Sequence, residues 1–258
     1  MQYDTLKFSV RNNTAIIEFS RPDVMNALNT QMRAEILHAV KAAEKEARVL
    51  VMTGKGRAFC SGQDLGDRAT VANIDLERTL RDEYVPMLMA IYDCKIPTIS
   101  AVNGAAAGAG ANLALAADVV IATESAVFLQ AFSRIGLIPD AGGTYFLPRQ
   151  IGLPKAMGAA LFAEPVTAQQ ASDWGMIWEA VPDDQFETVW KDRAAQLANG
   201  PTVAYQRAKQ ALRKTYDNTL EKQLMLEAKY QGELGKSHDF REGVLAFLDK
   251  RAAGFEGR

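Results

Sequence analysis

The sequence is poor in the side chains that most often announce chemistry. It has two cysteines, Cys60 and Cys94, and two histidines, His38 and His238, in 258 residues. So few cysteines exclude a disulfide framework and fit a reducing compartment. The four residues share no metal-ligand spacing, so no metal is expected. Cys60 has no histidine in any dyad pattern, and a small buried thiol is the plainer reading. An excess of charge is also missing: 29 Lys and Arg against 31 Asp and Glu leave a net −2. That balance gives no electrostatic ground for nucleic acid or an anionic membrane as partner, and a polyanionic ligand must be met by local basic groups. Long apolar runs are absent too. The opening MQYDTLKFSV is polar, unlike a signal peptide, and the low-charge stretch from Ile96 to Ala117 is interrupted by Pro97, Asn103 and Asn112. It reads as a buried strand and helix rather than a membrane span, and a cytoplasmic protein is expected.

What is present points to one large α/β domain, since the length suffices for a substantial core and no linker divides it. Thr14 to Phe19 (TAIIEF) reads as a strand, followed by the turn Arg21-Pro22-Asp23. Met32, Ile36, Leu37 and Val40 have helical spacing, with Asn29 or Thr30 as the cap. Val49 to Thr53 and Thr98 to Val102 are short runs of the kind buried in a sheet. A Gly/Ala-rich helix and the run Val119 to Ala122 follow the second. Strands alternating with helices imply parallel units. From Leu220 the chain reads as helical, with Leu220, Leu224 and Ala228, then Val244, Leu245 and Leu248, as apolar stripes. Such a tail packs on a neighbouring subunit or covers its own core, and periodicity does not choose.

Two glycine-bearing segments follow strands: Ala58-Phe59-Cys60-Ser61-Gly62-Gln63-Asp64-Leu65, and Asn103-Gly104-Ala105-Ala106-Ala107-Gly108-Ala109-Gly110-Ala111-Asn112-Leu113. Small residues let a ligand approach the backbone, and a helix start offers unpaired N–H groups, a combination suited to an anion or a developing oxyanion. Taken alone, these segments are more plainly explained by close helix packing, because Gly104 and Gly108 lie four apart on one helical face. The second segment is not a dinucleotide fingerprint, since Leu113 stands where the third glycine belongs. Asp140 precedes a helix expected to begin near Ala141, where a capping aspartate is common. Capping would hold that carboxylate ionised, whereas burial would make it a stronger base.

The FCSGQDL segment, the AVNGAAAGAGANLALAAD segment and Gly136-Leu137-Ile138-Pro139-Asp140-Ala141-Gly142-Gly143-Thr144 resemble, in order and spacing, the motifs of the crotonase (enoyl-CoA hydratase/isomerase) superfamily. The tail from Arg241-Glu242-Gly243 through Phe247-Leu248-Asp249-Lys250-Arg251 is similar as well, so the resemblance covers essentially the whole chain. Within it, AAGAGA, AFSRIGLIPDAGGTYFLPR and WGMIW are most similar to members that isomerise the ring epoxide of phenylacetyl-CoA in phenylacetate catabolism. The resemblance implies a spiral core of ββα units over residues 1–200. It also implies a C-terminal helical region, 201–258, that assembles trimers, commonly paired into hexamers. By position, the backbone N–H groups of Gln63 and Ala109 would form an oxyanion hole. Family hydratases carry two glutamates where this chain has Asn112 and Phe132, and a carboxylate instead stands at Asp140, as in isomerase members. Two carboxylates suit addition of water, whereas one suffices to move a proton between carbons. Coenzyme A, as part of an acyl-CoA thioester substrate, would meet Val24, Ser61, Gln63, Asp64 and Leu65, with Phe247 and Lys250 reaching the nucleotide, often from an adjoining subunit. Phe132 would shape the acyl pocket and Asn112 would orient substrate or water. No separate cofactor is expected. An enoyl-CoA hydratase using one acid and an ordered water, and a silent binding scaffold of the same fold, are the competing readings.

Overall fold

The computed structural model describes residues 3–66 and 75–258. Strands β1 (Leu6–Arg11) and β2 (Thr14–Phe19) form an antiparallel hairpin whose turn residues, Asn12 and Asn13, have φ of 50° and 60°. Asparagine is among the side chains that tolerate this left-handed region best. Along β2 alternate residues Ala15, Ile17 and Phe19 are buried, which points that face inward. Helix α1 (Thr30–Glu46) begins at Asn29, whose side chain accepts a hydrogen bond from the Met32 N–H at 2.9 Å.

The chain then winds in repeated turns. Each turn lays one strand in a large sheet, the next in a small sheet, and follows with helix. The first turn is β3 (Val49–Gly54), β4 (Ala58–Cys60), α2 (Leu76–Thr79), a π-turn over Leu80–Tyr84 and α3 (Val85–Tyr92). The second is β5 (Thr98–Val102), β6 (Ala105–Ala107) and α4 (Ala109–Leu115). The third is β7 (Val119–Thr123), β8 (Val127–Leu129), a 3-10 turn over Ala131–Ile135 and α5 (Gly143–Phe162). Short elements β9 (Val166–Thr167), α6 (Ala168–Asp173) and β10 (Glu179–Val181) close the two sheets. Their orders are β1-β2-β3-β5-β7-β10 and β4-β6-β8-β9. This is the spiral of ββα units.

Both faces of the large sheet are covered, which is why its central strands are continuous apolar runs rather than alternating ones. On one side, Phe186, Trp190 and Ala194 of α7 (Phe186–Ala198) pack against Val49, Val51, Ile99, Ala101 and Ile121. On the other, Leu50, Met52 and Val102 join α1, α3 and the small sheet in the main core.

One expectation is corrected here. Gly104 and Gly108 do not share a helical face, because residues 105–107 between them form strand β6 and the helix starts only at Ala109. A Cβ on Gly104 would lie 2.2 Å from the Arg57 carbonyl oxygen, so that glycine permits close passage of two backbones in the small sheet.

After α7 the chain is helical: α8 (Thr202–Lys214), α9 (Leu220–Leu234) and α10 (His238–Leu248). Lys209 and Arg213 of α8 bind the Asp118 carboxylate at 2.6 and 2.7 Å, which pins this region to the core. Leu220, Leu224, Met225, Phe247 and Leu248 are exposed on it. Among the described residues no helix is long and apolar enough to cross a membrane.

Candidate active site

The turn after β4 and the start of α4 are drawn together by glycine. Gly62 has φ +95°, and a Cβ there would lie 2.8 Å from the Ala107 carbonyl oxygen and 3.3 Å from the Ala109 nitrogen. On Gly110 a Cβ would collide with the Cys60 carbonyl at 2.2 Å. The two segments can meet only because those positions lack side chains. Leu28 then fixes the first segment, as its N–H donates to Gly62 O at 2.8 Å and its carbonyl accepts from Asp64 N–H at 3.1 Å. Among the described residues, neither the Gln63 N–H nor the Ala109 N–H donates to a backbone acceptor in a turn or loop. Both residues line one cavity of about 280 Å³. That volume lies near the lower end of the ~300–1,000 Å³ common for small-molecule sites and suits an acyl group.

Asp140 lines the same cavity. It does not cap the helix. The chain turns through two left-handed residues, Ala141 (φ 49°) and Gly142 (φ 88°), so α5 begins at Gly143 and has no side-chain cap. The main chain of Asp140 is held instead, its carbonyl accepting from Gly143 N–H and from Asn112 Nδ2, each at 2.8 Å. Its carboxylate Oδ1 is buried with no hydrogen-bond partner. Burial accordingly pushes the Asp140 carboxyl up to about 6, because the charged form loses water without gaining a partner. Ala141 is a strained position, since a non-glycine residue in this region costs roughly 1–2 kcal/mol. The surrounding contacts hold it there.

Asn112 takes a different place from the one expected. It is wholly buried and absent from the cavity wall, exchanging two side-chain hydrogen bonds with Gln130 at 2.9 and 3.3 Å while its third bond supports Asp140. A Cβ on Gly143 would lie 2.4 Å from Asn112 Nδ2, so the glycine makes room for this amide. Asn112 therefore orients the carboxylate-bearing turn rather than substrate or water. Phe132 does face the cavity and lies over Gly108.

Ser61 and Leu65 also line the cavity. The Ser61 hydroxyl donates to Val24 O at 3.2 Å, and Val24, itself outside the cavity wall, is 43 % exposed. Asp64 is paired with Arg21 at 2.8 Å and accepts from Gly66 N–H, so its carboxylate serves the loop. Phe247 and Lys250 are not in this cavity. Phe247 is 82 % exposed and borders a separate groove of about 410 Å³ among α8, α10 and the C-terminal residues. The carboxylate in that groove, Asp239, is occupied by the N–H groups of Glu256 and Gly257. Cys60 is buried, and burial pushes its thiol up to about 12, which removes it as a nucleophile. Among the described residues no cluster of three or more His, Cys, Asp or Glu is placed to hold a metal ion.

Sequence reasoning missed the wall formed by Leu76, Leu80 and Tyr84 and the buried Arg33 behind it, 3 % exposed. One signal was available, because Arg33 lies on the stripe of Ile36 and Val40. A charge on an apolar stripe is retained only when paired. Part of the stretch from Gly66 to Arg81, expected to shape the acyl pocket, falls at 67–74, outside the described residues.

Residues 9–258 match the model of the family described as enoyl-CoA hydratase/isomerase. The chain belongs to this family. It is 58 % identical over its full length, and the relative's, to a Rhodobacter capsulatus protein named "Probable enoyl-CoA hydratase". It is 44 % identical to the 1,2-epoxyphenylacetyl-CoA isomerase of Escherichia coli, over 96 % of this chain and 97 % of that one. Its fold superposes on the crystal structure of an enoyl-CoA hydratase subunit from Geobacillus kaustophilus with a TM-score of 0.93, at 33 % identity over 100 % of both chains. The ββα spiral followed by C-terminal helices is thus the crotonase fold.

Proposed function

We propose that this family member is an acyl-CoA isomerase in which Asp140 carries a proton while the Gln63 and Ala109 amides hold the thioester oxygen. The observation that carries the reading is a lone carboxylate, half-buried and with its Oδ1 buried and unpartnered, lining the same small cavity as Gln63 and Ala109, whose N–H groups have no turn or loop acceptor among the described residues. A thioester α-proton is weakly acidic, so its removal requires that charge developing on the carbonyl oxygen be stabilised. Fixed N–H donors do this without reorganising, and one such donor is worth ~10²–10³ in rate. Ionised Asp140 takes the α-proton, the electron pair moves into the enolate, and the protonated carboxyl returns the proton at a more distant carbon. The double bond moves from the β,γ to the α,β position with no atom gained or lost. In the ring epoxide of phenylacetyl-CoA the methylene beside the thioester supplies the proton, the ring opens to the seven-membered oxepin, and a ring carbon receives the proton. Similarity to the E. coli isomerase supports this substrate. Coenzyme A arrives with the substrate. The exposed apolar residues of α9 and α10 suit assembly into trimers or hexamers, which would bring Phe247 and Lys250 to a neighbour's cavity mouth.

The relative named as a hydratase favours a second reading, addition of water to a 2-enoyl-CoA. Against it, the positions that carry glutamates in family hydratases hold Asn112 and Phe132, and Asp140 is the one carboxylate among the described residues of the cavity wall. Turnover of crotonyl-CoA, a 3-enoyl-CoA and ring-epoxide phenylacetyl-CoA by the intact protein separates the two. Isomerised products are expected. Rapid formation of 3-hydroxyacyl-CoA would establish the hydratase instead, and absence of both turnover and deuterium uptake from heavy water would leave a binding scaffold.

A further inference from the structure

We propose that Arg33 and Tyr84 are positioning residues that hold the Gln63 main-chain N–H on the thioester oxygen by gripping the Gln63 side chain. The inference rests on the oxyanion reading of Gln63 and extends it to groups that touch no reacting atom.

A single carbonyl oxygen, Gln63 Oε1, accepts hydrogen bonds from Arg33 Nη1 at 2.9 Å and from Tyr84 Oη at 2.6 Å. The Gln63 Nε2 donates to Asp64 O at 3.2 Å. The same Arg33 Nη1 donates to Leu28 O at 2.6 Å, and Leu28 is the main-chain partner of residues 62 and 64. Gln63 is therefore fixed on both sides through its backbone and at a third point through its side chain. Three points determine the orientation of a peptide plane, whereas two leave it free to rock about the line joining them.

The guanidinium that does this is itself immobile. Its Nε and Nη2 fork onto Glu83 Oε2 at 2.9 and 2.6 Å, and it lies 4.8 Å from the centre of the Tyr84 ring. A buried charge is tolerated when its donors are satisfied, and arginine's planar fork suits several fixed acceptors at once. Arg33 itself is absent from the cavity wall and reaches it only through Gln63 and Tyr84, so direct contact with substrate does not account for it. The clamp's other arm comes from the π-turn at Leu80–Tyr84. Such turns insert extra backbone into a helix and recur at functional sites. Here the turn sends Glu83 to Arg33 and the Tyr84 hydroxyl to Gln63, while Leu80 and the Tyr84 ring form cavity wall. The wall that meets the acyl group and the amide that meets its oxygen are thus one mechanical unit.

The test uses the full chain, the Tyr84→Phe variant, which loses one oxygen atom, and Gln63→Leu, which keeps the N–H but removes Oε1. Cinnamoyl-CoA serves as the probe, because polarising its conjugated carbonyl moves its absorption band to the red. Both variants are expected to shrink the red shift seen with the wild type. For isomerisation, kcat should fall on the order of tenfold with KM within about threefold, a fraction of the ~10²–10³ that loss of a whole donor costs. A purely structural role would lower Tm and leave the red shift intact. Full red shifts in both variants overturn the clamp alone. A wild-type complex without any red shift overturns the oxyanion reading itself, and the clamp with it.

Discussion

Asp118 and Asp140 both sit largely out of water, yet the fold treats their carboxylates in opposite ways. Asp118 accepts from Thr98 N–H and Oγ1, from Lys209 Nζ and from Arg213 Nη2, at distances between 2.6 and 3.0 Å. Asp140 has its main chain held by Asn112 and Gly143, while its Oδ1 is buried with nothing to bind. One carboxylate is saturated by the protein and anchors α8 to the sheet. The other is kept hungry, with its backbone rather than its charge supplying the fixation. Burial alone therefore does not set an acid apart; burial without a partner does, in a cavity that Gln63 and Ala109 also line.

Removing each charge should break opposite properties. Asp140→Asn keeps the size of the side chain and leaves the main-chain contacts in place, so folding is expected to survive while isomerisation falls by ~10²–10⁴, the usual contribution of a general base. Undiminished turnover would mean another group moves the proton. Asp118→Ala strands Lys209, whose side chain is 10 % exposed. Leaving a buried charge without its partner costs about 3 kcal/mol or more, a fall in Tm of roughly 6 °C or more for a chain of this size. Turnover per folded molecule should be unchanged. Melting curves and active-site-normalised rates on the two variants check both arms, and equal rate losses would erase the distinction between them.

What the sequence could and could not disclose follows the same division between local and distant causes. The β2, β3, β5 and β7 runs, and the Asn29 cap, were legible because each depends on its own apolar or polar pattern. The small-sheet strands were not, since AFC, AAA and VFL are three residues each, too short to carry a period, and become strands only by pairing with one another. The turn after Asp140 was read as a helix start because nothing in Ala141 itself announces a φ of 49°. Gln63, Ala109, Asp140 and Phe132 were found through ordered motifs, and the structure brings all four to one cavity. The links of Arg33 to Gln63 and Glu83, and of Gln130 to Asn112, escaped because they span 18 to 50 residues, so that no local spacing announces them.

Titration sharpens the contrast at finer scale. If Asp140 must be ionised to take a proton, log kcat/KM should be flat above about pH 6 and fall with a slope of one below it, following a carboxyl raised to about 6 by burial. A profile flat to pH 4.5 would place the working base elsewhere. The smallest expected effect concerns stability, and its sign is opposite to that of most carboxylates. Because the carboxyl holds its proton more tightly when folded than at its usual value of 3.8, protonation favours the native state, and this group's contribution grows as pH falls from about 6 toward 4. At neutral pH the buried ionised form is a burden that Asp140→Asn removes, so the variant should melt a few degrees above the wild type. That advantage should narrow steadily between pH 6 and pH 4, where the wild-type carboxyl becomes neutral too. A constant difference across that range would show that the carboxylate is not carrying an unrelieved charge in the cavity wall, and Asp140 would then have no more claim to reactivity than Asp118.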